Sequence, residues 1–215
     1  MKYEKISGWG NLENVLCNSY QFEDEKNLQD IYKNNKIIIR GNGRSYGDSA
    51  IQKNGTISSL KHNNIIFFDK TSGLIKVQSG IILKDLLKFI IPKGWFIPVS
   101  PGTKYVTLGG MIASNVHGKN QHVDGCFINY VKSITLILPN KKKLHISKNQ
   151  NKTFFLATCG GMGLTGFISE IEFKLIKINN SKIEQQKIFF RNLKELIHAI
   201  KLSKKKYLVA WIDCF

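Results

Sequence analysis

Three glycine-rich segments of this sequence have the composition of turns that bind an anion. The first is Gly41-Asn42-Gly43-Arg44-Ser45-Tyr46-Gly47-Asp48, which follows the apolar run Ile37-Ile38-Ile39. Its glycines can adopt backbone angles closed to other residues, so successive amide N–H groups can form a concave nest. Arg44 adds a fixed positive charge and Ser45 a hydroxyl donor. This chemistry suits a pyrophosphate, and a glycine-rich turn between two strands is the alternative.

The second and third segments indicate that the ligand is large. Pro101–Asn120 contains Gly109-Gly110, Ala113 and Ser114, which on a short helix would leave one face open to a flat or extended group. The third segment is Thr158–Gly166. One such cluster is compatible with tight packing alone. Three clusters, each after an apolar segment, favour a ligand enclosed by backbone. The first cluster is neither a Walker loop nor the dinucleotide fingerprint that opens a helix.

Taken together, Gly-Arg-Ser-Tyr-Gly-Asp, His-Gly-Lys-Asn and Gly-Leu-Thr-Gly resemble the PCMH-type FAD-binding domain of the vanillyl-alcohol-oxidase family of flavoproteins. The likeness runs from about Ile37 to Ile176. Within the family, the combination is most similar to oxidases of polyprenylphosphoryl ribose, which serve cell-wall polysaccharide biosynthesis. The resemblance implies FAD and oxidation of a sugar hydroxyl, the 2-hydroxyl of polyprenylphosphoryl-β-D-ribose, to a keto sugar. An aldonolactone oxidase and a non-catalytic basic module that binds a flavin or another anion stay open as alternatives.

The resemblance also implies which residues hold the cofactor. Ile39–Ser49 would line the pyrophosphate and adenosine, with backbone donors from Asn42 to Ser45. Gly102 and Thr107–Gly110 would close the other side, and Ser114–His117 would lie along the isoalloxazine. Ile168 would contact the adenine half. The full set of expected FAD contacts is Arg40, Gly41, Asn42, Gly43, Arg44, Ser45, Tyr46, Gly47, Asp48, Ser49, Gly102, Thr107, Leu108, Gly109, Gly110, Ser114, Asn115, Val116, His117 and Ile168.

Two of these residues are also expected to act in catalysis. His117 would sit near the flavin ring and a bound sugar, although a lone histidine is more often structural. Tyr46 stands where many relatives carry a histidine bonded covalently to the flavin. A phenol cannot form that link, so we expect non-covalent FAD unless His117 forms the bond. Tyr46 would instead contact the substrate, or only pack against the loop.

Composition limits the other functions. The chain has 215 residues, 42% of them hydrophobic, and a net charge of +17. The lysines are spread along the chain, so solvated surface is favoured over a nucleic-acid site, with contact to an anionic membrane as the alternative. The four cysteines form no C-x-x-C pair, so we expect reduced thiols and no metal. We expect a cytoplasmic protein, peripheral at the membrane if that contact exists.

Hydrophobic periodicity predicts interleaved strands and helices without a strict β-α-β repeat, and hence an α+β fold. The resemblance implies that this fold has two lobes with a flavin cleft between them, built from mixed sheets flanked by helices. The first glycine-rich segment would leave a strand, and the small-residue cluster would begin a helix. The predicted helices are Glu23–Asn34, Ile82–Ile91, Lys152–Thr158 and Leu193–Ser203. The predicted strands are Lys36–Arg40, Thr56–Leu60, Ile65–Asp69, Leu74–Ser79, Phe96–Val99, Val131–Leu138, Lys143–Ser147, Phe167–Ile178, Lys182–Phe190 and Tyr207–Asp213.

The predicted domain boundary lies at residue 178. Residues 1–178 would form the FAD-binding domain and residues 179–215 the beginning of a substrate domain. Because Ala210-Trp211-Ile212-Asp213-Cys214-Phe215 is mostly apolar, we expect an N-terminal fragment, from either a split gene with a separately encoded second half or a truncated open reading frame. Trp211 and Phe215 would need a partner to bury them. The expected partners are a sugar-phosphate lipid substrate, a separately encoded C-terminal half that carries the family's catalytic lysine, and a reductase or epimerase subunit.

Overall fold

The computed structural model describes residues 1–12, 14–34, 36–140 and 142–213. Cys214 and Phe215, which the sequence predicts to be covered by another polypeptide, lie outside the described residues. A mixed sheet and an antiparallel sheet, flanked by helices, form two lobes, which confirms the predicted α+β class. Among the described residues, no helix combines the length and apolar composition needed to cross a bilayer.

The first lobe is a four-stranded sheet with the order β1 (Lys2–Ile6), β2 (Val15–Gln21), β4 (Thr56–Ser58), β3 (Ile38–Arg40). β1 and β2 form an antiparallel hairpin, whereas β2, β4 and β3 are parallel. Helix α1 (Glu25–Asn34) connects β2 to β3. The carboxyl ends of parallel strands meet at one edge of a sheet. The glycine-rich loop after β3 therefore emerges beside the residues that follow β4.

The second lobe is a five-stranded antiparallel sheet with the order β5, β6, β10, β8, β9. Its core side chains alternate along the strands, as in Ile75 and Val77, which are fully buried. The five strands are β5 (Ile65–Phe68), β6 (Leu74–Gln78), β8 (Val131–Ile137), β9 (Lys143–Ser147) and β10 (Phe167–Lys174).

Helices cover this sheet and carry the cleft segments. Helix α2 (Leu83–Ile90) buries Leu83, Leu86 and Ile90 along one face and ends in a 3₁₀ turn before Gly94. The remaining elements are β7 (Trp95–Phe96), α3 (Leu108–Ala113), α4 (Gln121–Asp124), a 3₁₀ turn (Phe127–Tyr130), α5 (Lys152–Thr158), β11 (Ile176–Lys177), which pairs with β7, and α6 (Leu193–Leu202).

An aromatic contact joins the two lobes. Phe22, which follows β2, packs on Phe167 of β10 with ring centroids 4.6 Å apart. His62 lies against both rings, and its Nε2 is 3.1 Å from the carbonyl oxygen of Ser169. The buried cluster around them includes Leu28 of α1 and so continues from one sheet to the other. This contact fixes the spacing of the lobes at the cleft.

Two predicted strands are wrong. The structure assigns no strand to Lys182–Phe190 or Tyr207–Asp213, and most of these side chains are exposed. Both segments have strand-like composition, but no described strand lies beside either one to pair its backbone groups. Phe96–Val99 is shorter than predicted, since the strand is Trp95–Phe96. The predicted strand Phe167–Ile178 divides after Lys174 into β10 and β11, which lie in different sheets.

Candidate functional site

A cleft of about 710 Å³ lies between the lobes, within the range of roughly 300–1,000 Å³ that small-molecule pockets occupy. All three glycine-rich segments contribute to its walls. Of the residues predicted to contact FAD, those that line the cleft are Gly41, Asn42, Gly43, Arg44, Ser45, Tyr46, Ser49, Gly102, Thr107, Gly109, Gly110, Ser114, Val116 and Ile168.

Six predicted contacts lie outside the lining: Arg40, Gly47, Asp48, Leu108, Asn115 and His117. Leu108 is fully buried in the core, because it faces the sheet while the next two glycines face the cleft. The Asn115 side chain accepts a hydrogen bond from the amide of Ile128. His117 is exposed, and its backbone forms an isolated bridge with Cys126.

Arg40 supports the first loop from behind. Its guanidinium donates to the carbonyl oxygen of Ser7 at 2.6 Å, and burial lowers the pKa of this group. The guanidinium fills the space beneath Gly43, whose φ is +63°, so a Cβ at Gly43 would collide with Arg40 Nη2. Arg40 therefore shapes the loop and does not face the cleft.

Both flanks of the first loop are held by hydrogen bonds. The Asn42 side-chain amide nitrogen, Nδ2, donates to the carbonyl oxygen of Tyr105 at 2.8 Å. On the other side, the Trp9 amide donates to the carbonyl oxygen of Ser45 at 2.9 Å. The loop is thus fixed to the Pro101–Asn120 segment and to the turn between β1 and β2, and its amide groups are preorganised.

Trp9 is a cleft residue that sequence reasoning missed. Its ring lies 4.6 Å from the Arg44 guanidinium carbon, and it lines the cleft. The signal available in the sequence is Gly8-Trp9-Gly10, an aromatic residue between two glycines. Its neighbour Gly8 packs so closely on the Gly47 carbonyl group that a Cβ there would collide. Proximity to the loop depends on the hairpin reaching a segment more than thirty residues away.

The small residues of α3 allow a close approach to β6. The Gly109 amide donates to the carbonyl oxygen of Ser79 at 2.8 Å, and a Cβ at Gly109 would lie 2.9 Å from the Ser79 Cβ. Thr107 caps the helix by accepting from the Gly110 amide at 3.2 Å. Ser79 was also missed by sequence reasoning, because nothing in its local sequence marks it as facing a ligand.

The third glycine-rich segment closes the apolar side. The Met162 amide donates to the carbonyl oxygen of Ala113 at 2.9 Å, which ties this turn to the end of α3. Met162, Val116 and Ile168 present apolar side chains to the cleft. The cleft therefore has a cationic, amide-rich side at the first loop and an apolar side at this turn.

Two buried polar atoms beside the cleft have no hydrogen-bond partner, the Arg44 Nε and the Ser79 Oγ. Buried donors are rarely left unpaired in a native protein, so each is expected to bond to a ligand or to water. An elongated group with an anionic part and a flat apolar part would match this lining. FAD has both parts, so the residues present fit this cofactor.

Residues 21–147 match the family described as FAD binding domain. The chain belongs to this family. FAD is the cofactor of these domains, in agreement with the prediction from the glycine-rich motifs. The match includes the first two glycine-rich segments and ends before the third.

Three known proteins show what the chain is similar to. It is 41% identical over 134 residues to a decaprenylphosphoryl-beta-D-ribose oxidase of Mycolicibacterium smegmatis, covering 61% of this chain and 29% of that protein. It is 29% identical over 195 residues to a D-lactate dehydrogenase of Anaerostipes hadrus, covering 86% and 41%. The solved structure of an alkyldihydroxyacetonephosphate synthase has the same fold, with a TM-score of 0.67 and 19% identity over 77% of this chain and 32% of that one. The chain spans less than half of each.

Proposed function

We propose that this chain is the FAD-binding part of a flavin-dependent oxidoreductase that oxidises the 2-hydroxyl of polyprenylphosphoryl-β-D-ribose to a keto sugar. The observation that carries the proposal is the cleft, in which a preorganised glycine-rich loop and two unpaired buried donors face the space between the lobes. The 41% identity to a decaprenylphosphoryl-beta-D-ribose oxidase supports the substrate class. When bound, FAD supplies the hydride acceptor, and the chain supplies binding, orientation and electrostatics.

The first loop would hold the diphosphate. Amide groups of Asn42 to Ser45 lie along one wall, and Arg44 is kept at that wall by Trp9. Arg44 Nε and Ser79 Oγ, which have no hydrogen-bond partner in the protein, would donate to anionic or polar atoms of the cofactor. Charge-assisted hydrogen bonds of this kind are the stronger ones in proteins. The expected FAD contacts of the remaining cleft residues belong to the same proposal.

The FAD would be held without a covalent bond. Among the described residues that line the cleft there is no histidine and no cysteine, the side chains that commonly link to flavins. Tyr46 lines the cleft with 77% of its surface exposed. This position leaves its phenol available to a substrate entering from solvent. His117, exposed beside Val116, would contact the sugar from the other wall.

A second polypeptide would cover the flavin. Exposed apolar side chains concentrate after residue 178: Phe189 is 94% exposed and Trp211 91%. Helix α6 buries none of its residues and exposes Leu193, Ile197 and Ile200. Patches of this kind mark interaction surfaces. We therefore keep the boundary at residue 178 and assign the roof of the site, with the group that takes the hydroxyl proton, to a polypeptide outside this chain.

A titration tests the cofactor part of the proposal. The purified chain is titrated with FAD, FMN and riboflavin, and binding is followed by quenching of flavin fluorescence. We expect a 1:1 complex with FAD and much weaker binding of the two ligands that lack the adenosine diphosphate. A folded chain that does not bind FAD would contradict the proposal.

An anaerobic mixing experiment tests the substrate. The FAD-loaded chain is mixed with a polyprenylphosphoryl ribose, an aldonolactone or D-lactate, with and without the part of the Mycolicibacterium smegmatis oxidase beyond its alignment with this chain. We expect flavin bleaching only with the phosphoryl ribose and both polypeptides. Bleaching by the lactone would favour the aldonolactone alternative. No bleaching in any mixture, despite bound FAD, would favour the non-catalytic module. Peripheral membrane contact and a reductase or epimerase partner stay predictions.

A further inference from the structure

A polar cluster behind the cleft holds the segment Lys205–Leu208, which follows α6, against the body of the domain. Asp124 is at its centre: one carboxylate oxygen accepts from the Tyr130 hydroxyl at 2.7 Å and the other pairs with Lys206 Nζ at 3.0 Å. The Asp124 side chain retains 12% of its exposure, whereas the Lys206 side chain retains 40%. The cluster joins two separate parts of the chain, residues 124–130 and Lys206.

Two further bonds complete the attachment of this segment. The Leu208 amide donates to the carbonyl oxygen of Lys119 at 2.9 Å. His122 Nε2 donates to the carbonyl oxygen of Lys205 at 3.1 Å. Together with the Asp124–Lys206 pair, these bonds place three contacts within four residues. All three end on residues 119–124, directly after the Ser114–His117 segment of the cleft.

Asn120 connects this cluster to the residues that precede Pro101–Thr103, one of the stretches that line the cleft. It is fully buried, and its Nδ2 donates to Asp124 Oδ2 and to the carbonyl oxygen of Pro98 at 2.8 Å. Pro98 belongs to the segment that leads into Pro101–Thr103, which lines the cleft. Gly118 packs on the same segment so tightly that a Cβ there would lie 2.6 Å from the Ser100 carbonyl oxygen. Asn120 and Gly118 thus hold Pro98–Ser100, which leads into Pro101–Thr103, against the residues that follow Ser114–His117.

We infer that Asp124 is a positioning residue, which holds the segment Lys205–Leu208 and, through Asn120, sets the spacing between two stretches of the cleft lining, Pro101–Thr103 and Ser114–Val116. The inference rests on the proposed function in taking FAD as the ligand of the cleft. It gives the segment after α6 a role in the flavin site, although that segment does not line the cleft. A polypeptide that binds α6 could then alter the cleft through Lys206 and Asp124.

Two variants test the cluster from opposite sides. Asp124→Asn keeps the shape and an acceptor for Tyr130 but removes the charge that pairs with Lys206. Lys206→Met removes the partner and leaves Asp124 with its other two bonds. The matched control is Glu170→Gln, because Glu170 pairs with Lys76 at 2.6 Å and lies near the Thr135 hydroxyl, outside the cleft lining.

The first readout is amide hydrogen exchange without FAD. We expect Asp124→Asn and Lys206→Met each to speed exchange at Leu208 and at Phe127, whose amide bonds to the Val116 carbonyl oxygen, by about tenfold. Glu170→Gln should leave both amides at the wild-type rate. Unchanged exchange at Phe127 in both variants would overturn the link to the cleft wall, whether or not the protein binds FAD.

The second readout is the dissociation constant and visible spectrum of FAD. We expect each variant to raise Kd about five- to tenfold, at the low end of couplings between sites, and to shift the flavin absorption band. The double variant should do no more than the larger single effect, because both changes break one connection. Wild-type Kd and spectrum in both variants, with faster exchange at Leu208, would show a merely structural cluster. Absence of FAD binding by the wild type would instead contradict the proposed function.

Discussion

Gly43 offers a sharp test of how the first loop binds its ligand, because two separate penalties meet at this position. Its φ of +63° lies in the left-handed region, where a residue with a Cβ loses roughly 1–2 kcal/mol. A Cβ would also collide with Arg40 Nη2, which donates to the carbonyl oxygen of Ser7. If the guanidinium moved away, a charge-assisted hydrogen bond of about 1.5–3 kcal/mol would be lost.

These penalties act mainly on binding. The loop can relax in the free protein without disturbing the cores of the two sheets, so most of the strain in Gly43→Ala is relieved there. Binding must restore the original loop conformation, so the free energy of FAD binding becomes less favourable by the amount of this strain. A total of about 2.5 kcal/mol or more corresponds to at least about a 50-fold rise in the Kd of FAD, since each 1.4 kcal/mol is tenfold. Thermal stability without FAD should change far less.

Gly47→Ala is the matched control. Gly47 has a similar φ of +59°, but nothing lies within 4 Å of a Cβ there, and Gly47 does not line the cleft. We expect this variant to raise Kd no more than about 5- to 30-fold, because only the strain of roughly 1–2 kcal/mol applies here. Fluorescence titration with FAD measures both variants. Equal Kd values for Gly43→Ala and Gly47→Ala would refute the argument that the contact with Arg40 and the position in the cleft lining make Gly43 the more important glycine for FAD binding.

Three further predictions use simpler measurements. Gly109→Val should lower flavin content per folded molecule, because its side chain must displace Ser79; equal content would contradict the close approach. Acid precipitation should leave FAD in the supernatant, since Tyr46 cannot form a histidyl link; yellow colour in the pellet would show a covalent bond. Burial alone would raise the pKa of Asp124, but hydrogen bonds from Tyr130, Lys206 and Asn120 outweigh it and lower this pKa. Burial with the Asp124 hydrogen bond raises the pKa of Tyr130 to about 12. Asp124 thus stabilises above about pH 4 and Tyr130 below about pH 10, so the stability gap between wild type and Asp124→Asn should shrink as pH falls below 4 in urea titrations.

The sequence predicted best those features that depend on neighbours in the chain. The glycine-rich loop after β3 is recognisable because only certain backbone angles fit its turns, and α2 because its apolar residues recur at helical spacing. The resemblance located continuous stretches of the cleft wall. It could not distinguish the residues of each stretch that face the cleft from those that face the core. Leu108 and Arg40 were therefore included, although they point away from the cleft.

Features that depend on distant pairing were not predictable in the same way. Lys182–Phe190 has strand-like composition, yet a strand also needs a neighbour for its backbone groups. The β1–β2 hairpin has such a neighbour in β4, although its own sequence gave no prediction. Ser79 has no local motif at all, and its role appears only because the residue after β6 contacts Gly109 of α3.

The N-terminal hairpin shows how far the cleft extends beyond its motifs. The family match begins at residue 21, yet the turn before β2 contacts the first loop twice and Arg40, which supports that loop, once. Ser7 accepts from Arg40, Trp9 bonds to Ser45, and Gly8 packs on Gly47. Two of these contacts restrain the loop at its ends, and Trp9 also holds Arg44. Preorganised donors bind more tightly than mobile ones because less freedom is lost on binding. The hairpin is therefore part of the proposed flavin site. The glycine-rich loop supplies the hydrogen-bond donors, and the hairpin holds them in place.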